Sequence, residues 1–291
     1  MPLPVGHKFP TTKYRLLRDM LARQGGIIFE SAPLAEPAEI ATAHDPNYVQ
    51  AFFDGTVERA VMRRIGFPWS DAMVLRTRAS VGGTLAATRL ALETGFGGAL
   101  AGGTHHAFYS EGSGFCVFND IAVAIRCLLG EKRIAVIDLD VHQGDGTALL
   151  FQNEERVFTL SLHGRNNFPF RKQVSSLDVA LEDETGDDAY MAALDPALAA
   201  IRNFQPDFVF YQAGVDGLAE DKLGKLSLTM AGLATRDRRV FTLVQELGVP
   251  LVITIGGGYA EPIQLTAQAH AQTYLLAYGC RMALNSSLND S

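Results

Sequence analysis

Cysteine, excess positive charge and long apolar runs are all scarce in this chain of 291 residues. Its three cysteines, Cys116, Cys127 and Cys280, lack the paired spacing of a disulfide framework or a zinc knuckle, so a reducing cytoplasm is the expected location. A formal net charge of −7 argues against direct binding to nucleic acid or to an anionic membrane. No apolar run approaches the ~18 to 20 residues of a membrane span, and the N-terminus lacks the apolar core of a signal peptide. The sequence therefore predicts a soluble protein without a membrane partner.

The apolar residues predict one large α/β domain. They make up 47% of the chain, which is enough for a single domain over residues 1–291, with a frayed polar tail at about 285–291. Short apolar runs predict strands at 98–101, 134–139, 157–162, 208–213 and 251–255. Because these runs are apolar throughout, both faces of their sheet should be covered. The expected architecture is a three-layer α/β/α sandwich with a central, mainly parallel sheet.

Helical patterns alternate with these strands and cover residues 13–24, 44–55, 82–95, 119–129, 188–204 and 232–248. Pro196 interrupts the fifth pattern, which predicts a kink or a new helix start capped by Asp195. The acidic residues within 182–188 could form a metal-binding site, but the favoured interpretation is a solvated loop that leads into a helix.

The most informative segment is 138–146, Asp-Leu-Asp-Val-His-Gln-Gly-Asp-Gly, at the end of the second apolar run. Asp138, Asp140 and His142 occupy alternate positions, so their side chains project to one side while the chain stays extended. Carboxylate and imidazole groups suit a catalytic divalent ion, which takes a third protein ligand and keeps one position open. Asp216, after the fourth run, is the expected third ligand. A lone aspartate after a strand would more simply cap a helix or form a loop turn. The ligand role of Asp216 is favoured because the loops after the other strands should reach the same edge of the sheet.

Other polar residues should reach the same place, because ligands of parallel sheets bind where the carboxyl ends of the strands meet. His105 and His106 follow the first run, and Tyr259 follows the fifth after three glycines. Asp138 and Asp145 are two carboxylates that can each orient one histidine and raise its basicity. This set suits metal-assisted hydrolysis of an amide, in which a histidine takes the proton of an activated water and a phenol stabilises the oxyanion.

These residues resemble the zinc-dependent histone deacetylase family, within the arginase/deacetylase superfamily. The resemblance covers nearly the whole chain and rests on segments in the family's order: 6–10, 102–106, 114–120, 138–146, 212–216 and 256–259. Segments 6–10, 65–70 and 142–144 are most similar to the class IV type and its bacterial relatives. The resemblance implies an arginase/deacetylase-like catalytic domain that removes acetyl or longer acyl groups from the acylated lysine of a protein or peptide.

The resemblance also implies a role for each matched residue. The ligands of one catalytic Zn²⁺ would be Asp140, His142 and Asp216. His106 would be the general base, oriented by Asp145, while His105 would pair with Asp138 and help to position water. Tyr259 would donate a hydrogen bond to the oxyanion.

Two further sets of residues follow from the same resemblance. The tunnel for the acyl-lysine chain would be formed by Gly114, Phe115, Phe168 and Leu223. The family also uses a K⁺ ion close to the zinc, and the matching positions are Asp138, Ser161 and the backbone of Asp140, His142 and Leu162.

This chain departs from the family pattern at two places. Gln143 replaces the second histidine of the usual His-His-Gly-Asp-Gly, which removes no zinc ligand. The segment 66–70 shows no counterpart of the rim aspartate that clamps the substrate backbone in many deacetylases, so this segment gives no support to recognition of a peptide backbone. Cys116 lies beside the tunnel in this comparison, and a small buried hydrophobic residue is its favoured interpretation.

Three alternatives remain open from the sequence. The substrate can be a small acylated amine such as an acetylpolyamine, which needs the same machinery. A binuclear ureohydrolase of the arginase type would need another aspartate beside Asp216, but positions 214 and 218 are glycine and leucine. A non-catalytic module that binds acyl-lysine is disfavoured because Tyr259 and both histidines are present. The acyl length, the physiological substrate, the oligomeric state and the choice of zinc or iron(II) are left undetermined.

Overall fold

A computed structural model describes residues 3–4, 6–130 and 132–289. Within them, one sheet of six parallel strands forms the centre of the fold. The strands are β1 (Phe96–Ala99), β2 (Ile134–Asp138), β3 (Val157–Gly164), β4 (Leu177–Leu181), β5 (Phe208–Gln212) and β6 (Leu251–Thr254). Their order across the sheet is β1-β6-β5-β2-β3-β4. The predicted parallel sheet is confirmed.

Helices pack on both faces of this sheet. They are α1 (Thr12–Gln24), α2 (Pro37–Ile40), α3 (Pro46–Phe53), α4 (Arg59–Ile65), α5 (Asp71–Thr94), α6 (Asp120–Leu128), α7 (Asp145–Phe151), α8 (Asp187–Phe204), α9 (Met230–Leu247) and α10 (Ile263–Asn289). No helix in the described ranges combines the length and the apolarity needed to cross a bilayer.

Two apolar cores separate the three layers. Because neighbouring residues of a strand face opposite sides, Ala135 and Ile137 of β2 join the core formed with α1, α8, α9 and α10. Ile134 and Val136 join the core formed with α3, α5 and α6 on the other face. Every residue of β2 is buried, which explains its continuous apolar sequence. The predicted three-layer α/β/α sandwich is confirmed.

Several element boundaries differ from the sequence predictions. The edge strand β4 was not predicted, because its outer position leaves Asp178 exposed and interrupts the apolar pattern. Helix α5 begins at Asp71 rather than near 82, and the Ser70 hydroxyl caps it by accepting the Met73 N–H. Of the two alternatives predicted at Pro196, a kink or a new helix start, the new start is wrong, since α8 is continuous through that residue.

Two other sequence predictions concern chain segments of polar character. The acidic residues 182–184 form the loop between β4 and α8, as predicted. Residues 285–289, which were predicted to be part of a frayed tail, belong to helix α10. Asp290 and Ser291 lie outside the described residues.

A fully buried ion pair in α9 supports the carboxyl ends of β2 and β5. The Arg236 guanidinium donates to the carbonyl oxygens of Leu139 at 3.3 Å and Gly214 at 2.6 Å, and its Nε lies 2.9 Å from the Asp237 carboxylate. That carboxylate also accepts the hydroxyls of Tyr211 and Thr273, both at 2.6 Å. Since both charges are shielded from water, each depends on these partners for its stability.

We therefore expect Arg236→Met to lower the free energy of unfolding by about 3 to 5 kcal/mol, because Asp237 would be left as an unpaired buried charge. Arg202→Met is the matched control, since Arg202 pairs with Glu246 on the surface. That change should cost at most about 1 kcal/mol. Urea titrations monitored by circular dichroism measure both values, and equal losses would contradict the assigned role of Arg236.

Candidate active site

Four adjacent strands deliver the polar residues of the site to one edge of the sheet. Strands β1, β6, β5 and β2 are neighbours although they are far apart in sequence. The segment after β1 carries His105 and His106, and the segment after β6 carries Tyr259. Asp216 follows β5, and the segment after β2 carries Asp140 and His142. The strand ends therefore converge as the sequence predicted.

Asp140, His142 and Asp216 form a compact cluster of buried ligand groups. Their candidate ligand atoms all lie within 4.8 Å of one another. Nδ1 of His142 is 3.0 Å from Oδ1 of Asp140 and 3.0 Å from Oδ2 of Asp216. Atoms that each lie about 2.0 to 2.2 Å from one zinc ion are roughly 3 to 3.6 Å apart, so this spacing suits a shared cation.

The remaining oxygens of both carboxylates are held by neighbouring donors. Oδ2 of Asp140 accepts the Gly257 N–H at 2.7 Å and the Gln212 side-chain amide at 3.0 Å. Oδ1 of Asp216 accepts the Val141 N–H at 2.9 Å. These bonds fix the direction in which each carboxylate presents its other oxygen, as outer contacts do around metal ligands.

The electrostatics of this cluster favour a bound cation. Burial and the nearby Asp140 carboxylate raise the pKa of Asp216, because a second buried negative charge is unfavourable. Burial alone would lower the pKa of His142, but its hydrogen bonds to Asp140 and Asp216 raise that pKa to about 10. A divalent cation between the three groups would supply the positive charge that the carboxylates attract. The residues present therefore fit one zinc-like ion.

Gly214 lies so close to Asp140 that its position cannot carry a second ligand beside Asp216. A Cβ atom at this position would lie 2.2 Å from Oδ2 of Asp140. No side chain can be added there without displacing the ligand carboxylate, so the second aspartate of a binuclear site has no place at position 214. Among the described residues, the cluster of three candidate ligands around Asp140 is the single group of this kind.

Two histidine–carboxylate pairs lie beside the metal cluster. Nδ1 of His105 is 2.7 Å from Asp138, and Nδ1 of His106 is 2.6 Å from Asp145, the first residue of α7. The two imidazole rings are adjacent, with centroids 4.1 Å apart. Each Nδ1 is engaged by a carboxylate, which leaves the opposite nitrogen of each ring for chemistry in the cavity.

The two histidines differ in their affinity for protons. Burial disfavours a charged His105, but the Asp138 and Asp140 carboxylates outweigh it and raise the pKa to about 9. Burial and the neighbouring His105 lower the pKa of His106 to about 4, and its bond to Asp145 only partly opposes them. His105 is thus the more basic ring of the pair, whereas burial and the neighbouring His105 keep the pKa of His106 low.

Tyr259 approaches the cluster from the loop after β6. Burial and the Asp216 and Asp140 carboxylates raise the pKa of its phenol well above the usual value, so the group stays protonated and remains a donor. Its backbone N–H donates to Asp221 at 2.6 Å. Burial and the nearby Asp216 raise the pKa of Asp221 to about 7.

A cavity of about 480 Å³ gives access to these groups from solvent. All four residues predicted for the tunnel line it: Gly114, Phe115, Phe168 and Leu223. The Phe168 ring packs edge-on against His106, with centroids 4.9 Å apart. A Cβ at Gly114 would lie 2.6 Å from Cδ2 of His106, so glycine keeps this wall close to the histidine. Cys116 also lines the cavity, and burial raises the pKa of its thiol, which disfavours a nucleophilic thiolate.

The positions expected for potassium lie next to the metal loop. Ser161 is paired with Asp138 in the register of β2 and β3, and Leu162 follows it in β3. The Ser161 hydroxyl is 3.0 Å from Nδ1 of His163. The potassium site itself stays a prediction.

Several residues of the site were not assigned a role from the sequence. Gln212, which binds Asp140, stood within a matched segment, and a polar residue at the end of a buried strand was the available signal. Asp221 and Asn167 had no such signal, because their partners are distant in sequence. Asn167 joins two walls of the cavity through the Leu223 carbonyl at 2.8 Å. Lys13 is buried and donates to the Gly256 carbonyl at 3.0 Å, which the helical pattern of α1 does not reveal.

Gln143, the departure from the family pattern, holds the metal loop against the edge of the sheet. Its side-chain amide donates at 2.8 Å to the Gln173 carbonyl and at 2.8 Å to Asp178 of β4. Its side-chain oxygen accepts the Gln173 N–H at 2.9 Å. An amide supplies both a donor and an acceptor here, so the substitution keeps the loop anchored.

Comparisons with known proteins identify relatives and similar structures of this chain. An uncharacterized protein of Picosynechococcus sp. is 44% identical over 277 residues, which cover 93% of this chain and 92% of that protein. Histone deacetylase 2 of Arabidopsis thaliana is 33% identical over 273 residues, which cover 88% of this chain and 70% of that protein. The crystal structure of an HDAC homolog complexed with SAHA is similar with a TM-score of 0.80 at 27% identity, covering 94% of this chain and 80% of that one. The family model of the histone deacetylase domain matches residues 7–275, and the chain therefore belongs to the histone deacetylase family.

Proposed function

We propose that this protein is a zinc-dependent deacylase that hydrolyses the side-chain amide of an acylated lysine. The observation that carries the proposal is the juxtaposition of a three-ligand cluster with two separate histidine–carboxylate pairs at the floor of one cavity. Family membership supports a deacetylase reaction. A purely structural metal site would need neither the histidine pairs nor an open cavity.

The ligands in this proposal are Asp140, His142 and Asp216. A zinc ion bound there supplies a Lewis acid for the amide carbonyl and lowers the pKa of water. His106, held through Nδ1 by Asp145, accepts the proton of the attacking water at its other ring nitrogen. That proton then passes to the amide nitrogen as its bond to the carbonyl carbon breaks, and the second proton of the water follows it, so that the lysine departs as an ammonium and the acyl group as a carboxylate.

His105 and Tyr259 complete the set in this proposal. His105, paired with Asp138, places positive charge beside the attacking water and orients it. The Tyr259 phenol, which stays protonated, donates to the oxygen that becomes negative in the transition state. Gly114, Phe115, Phe168 and Leu223 would surround the aliphatic part of the lysine and exclude water from it.

Further parts of the proposal rest on the resemblance and on the cysteines. A potassium ion would bind near Asp138, Ser161 and Leu162 and the backbone of Asp140 and His142. All three cysteines are unpaired, which agrees with the reducing cytoplasm that we infer as the location. A small acylated amine as substrate is the alternative within the same chemistry. Gly214 argues against the binuclear ureohydrolase.

Tyr259→Phe tests the assigned chemistry most directly. Loss of one oxyanion donor should lower kcat by about 10²- to 10³-fold with little change in KM, because the hydrogen bond strengthens in the transition state. The assay measures the steady-state rate at which the enzyme removes the acetyl group from a fluorogenic acetyl-lysine peptide. Tyr109→Phe is the matched control, since Tyr109 is exposed and does not line the cavity. An undiminished rate for Tyr259→Phe would show that the assigned chemistry is wrong.

Metal content provides an independent test. The purified protein should contain one bound zinc or iron ion per chain by elemental analysis, and chelation should abolish activity until metal is restored. Metal at 100 times its Kd should raise the stability by about 2.7 kcal/mol, seen as a higher Tm. Asp216→Asn should lose this shift, whereas Asp183→Asn, a change of an exposed carboxylate, should keep it. Two ions per chain would instead revive the ureohydrolase.

A further inference from the structure

The mouth of the cavity has a charge opposite to that of the whole chain. The protein has a formal net charge of −7. Yet the exposed charged residues that line the cavity are all cationic, namely Lys8, Arg64 and Lys225. Because the floor of the cavity is buried, exposed lining residues mark its opening to solvent. Among the described residues that line the cavity, Asp140 carries the one carboxylate, and it is a metal ligand in the proposed site.

These cations stand on different walls of the tunnel. The Arg64 carbonyl accepts the Gly114 N–H at 3.0 Å, which ties this residue to the glycine wall. The Lys225 N–H donates to Asn167 at 3.2 Å, and Asn167 in turn holds the Leu223 carbonyl on the other wall. Lys8 precedes Phe9, whose ring packs 5.3 Å from the Phe115 ring. Cationic side chains therefore stand on separate sides of the opening.

The cations are only partly neutralised by their neighbours. Arg64 pairs with Glu111, so it contributes little net charge. Lys225 lies 3.8 Å from Asp183, and both side chains are more than 40% exposed, so solvent weakens this pair. Lys8 has no carboxylate partner among the described residues. Lys8 and Lys225 thus remain available to a ligand at the mouth.

We infer that the preferred substrate is an acyl-lysine that carries carboxylates outside the tunnel, within reach of Lys8 and Lys225. This inference rests on the proposed deacylase function and specifies its substrate class. The carboxylates can come from acidic residues that flank the acyl-lysine in a peptide, or from the α-carboxylate of free acyl-lysine. A polyamine, which is polycationic, is repelled by the same charges, so the mouth disfavours the acetylpolyamine alternative.

The test compares matched substrates with the metal-loaded enzyme. Two acetyl-lysine peptides differ only in flanking residues, glutamate in one and lysine in the other, and free acetyl-lysine and an acetylpolyamine complete the set. At low ionic strength we expect the glutamate peptide to have a kcat/KM about three- to tenfold above that of the lysine peptide. The ratio should approach one at about 0.5 M salt, where exposed charges are screened. Free acetyl-lysine exceeding both peptides would identify the α-carboxylate as the source of the charge.

Charge reversal shows where the preference arises. The double variant Lys8→Glu/Lys225→Glu should lose or invert the peptide preference. The matched control is Lys132→Glu/Arg238→Glu, since both residues are exposed and neither lines the cavity. This control changes the net charge equally and should keep the wild-type preference.

The outcomes separate this inference from the proposed function. Hydrolysis of the lysine peptide or the acetylpolyamine at least as fast as the glutamate peptide would overturn the inference while leaving the deacylase intact. Failure of every acyl substrate would refute the proposed function instead. In that event the same peptides still measure the charge preference through fluorescence anisotropy of binding, and equal affinities of the two peptides would overturn it.

Discussion

The close approach of two buried carboxylates, Asp140 and Asp216, is the constraint on which the site depends. Two such groups repel each other away from water unless a cation or a proton lies between them. The surrounding backbone is shaped to maintain this approach. A Cβ at Gly257 would lie 1.9 Å from Oδ2 of Asp216, and one at Gly214 would lie 2.2 Å from Oδ2 of Asp140. Arg236 donates a hydrogen bond to the carbonyl of Gly214. Contacts elsewhere in the fold thus hold the backbone in the position that brings the two carboxylates together.

The chemistry that we propose follows from an asymmetry between two similar pairs. His105 and His106 each contact one carboxylate, yet His105 also lies 3.9 Å from Asp140, whereas His106 packs against the Phe168 ring. The Asp138 and Asp140 carboxylates raise the pKa of His105, whereas burial and the neighbouring His105 lower the pKa of His106. One histidine is then suited to carry a positive charge and the other to accept a proton, and the amide hydrolysis that we propose uses both roles.

In the function that we propose, recognition and catalysis use different parts of the same cavity. The floor is buried and polar, the walls are aromatic and aliphatic, and the mouth is cationic. In this proposal, the mouth would contact the part of the substrate that lies beyond the aliphatic chain of the lysine. Chemistry shared with many relatives can thus coexist with a substrate preference of this chain's own, because the charges at the mouth do not contact the reacting atoms.

The sequence by itself determined the parallel sheet, because its apolar runs must be buried on both faces. It also determined which residues are candidate metal ligands and which histidines face them, because these polar residues come just after the apolar runs. Such signals are local, since each depends on residues adjacent in the chain. The edge strand β4, the continuous helix through Pro196 and the contacts of Gln212 and Asp221 were decided by tertiary structure. Lys8 and Lys225 are ordinary surface lysines in the sequence, and only the fold places them at one opening. Spatial neighbours that are distant in sequence leave no periodic pattern, because packing between elements rather than local propensity brings them together.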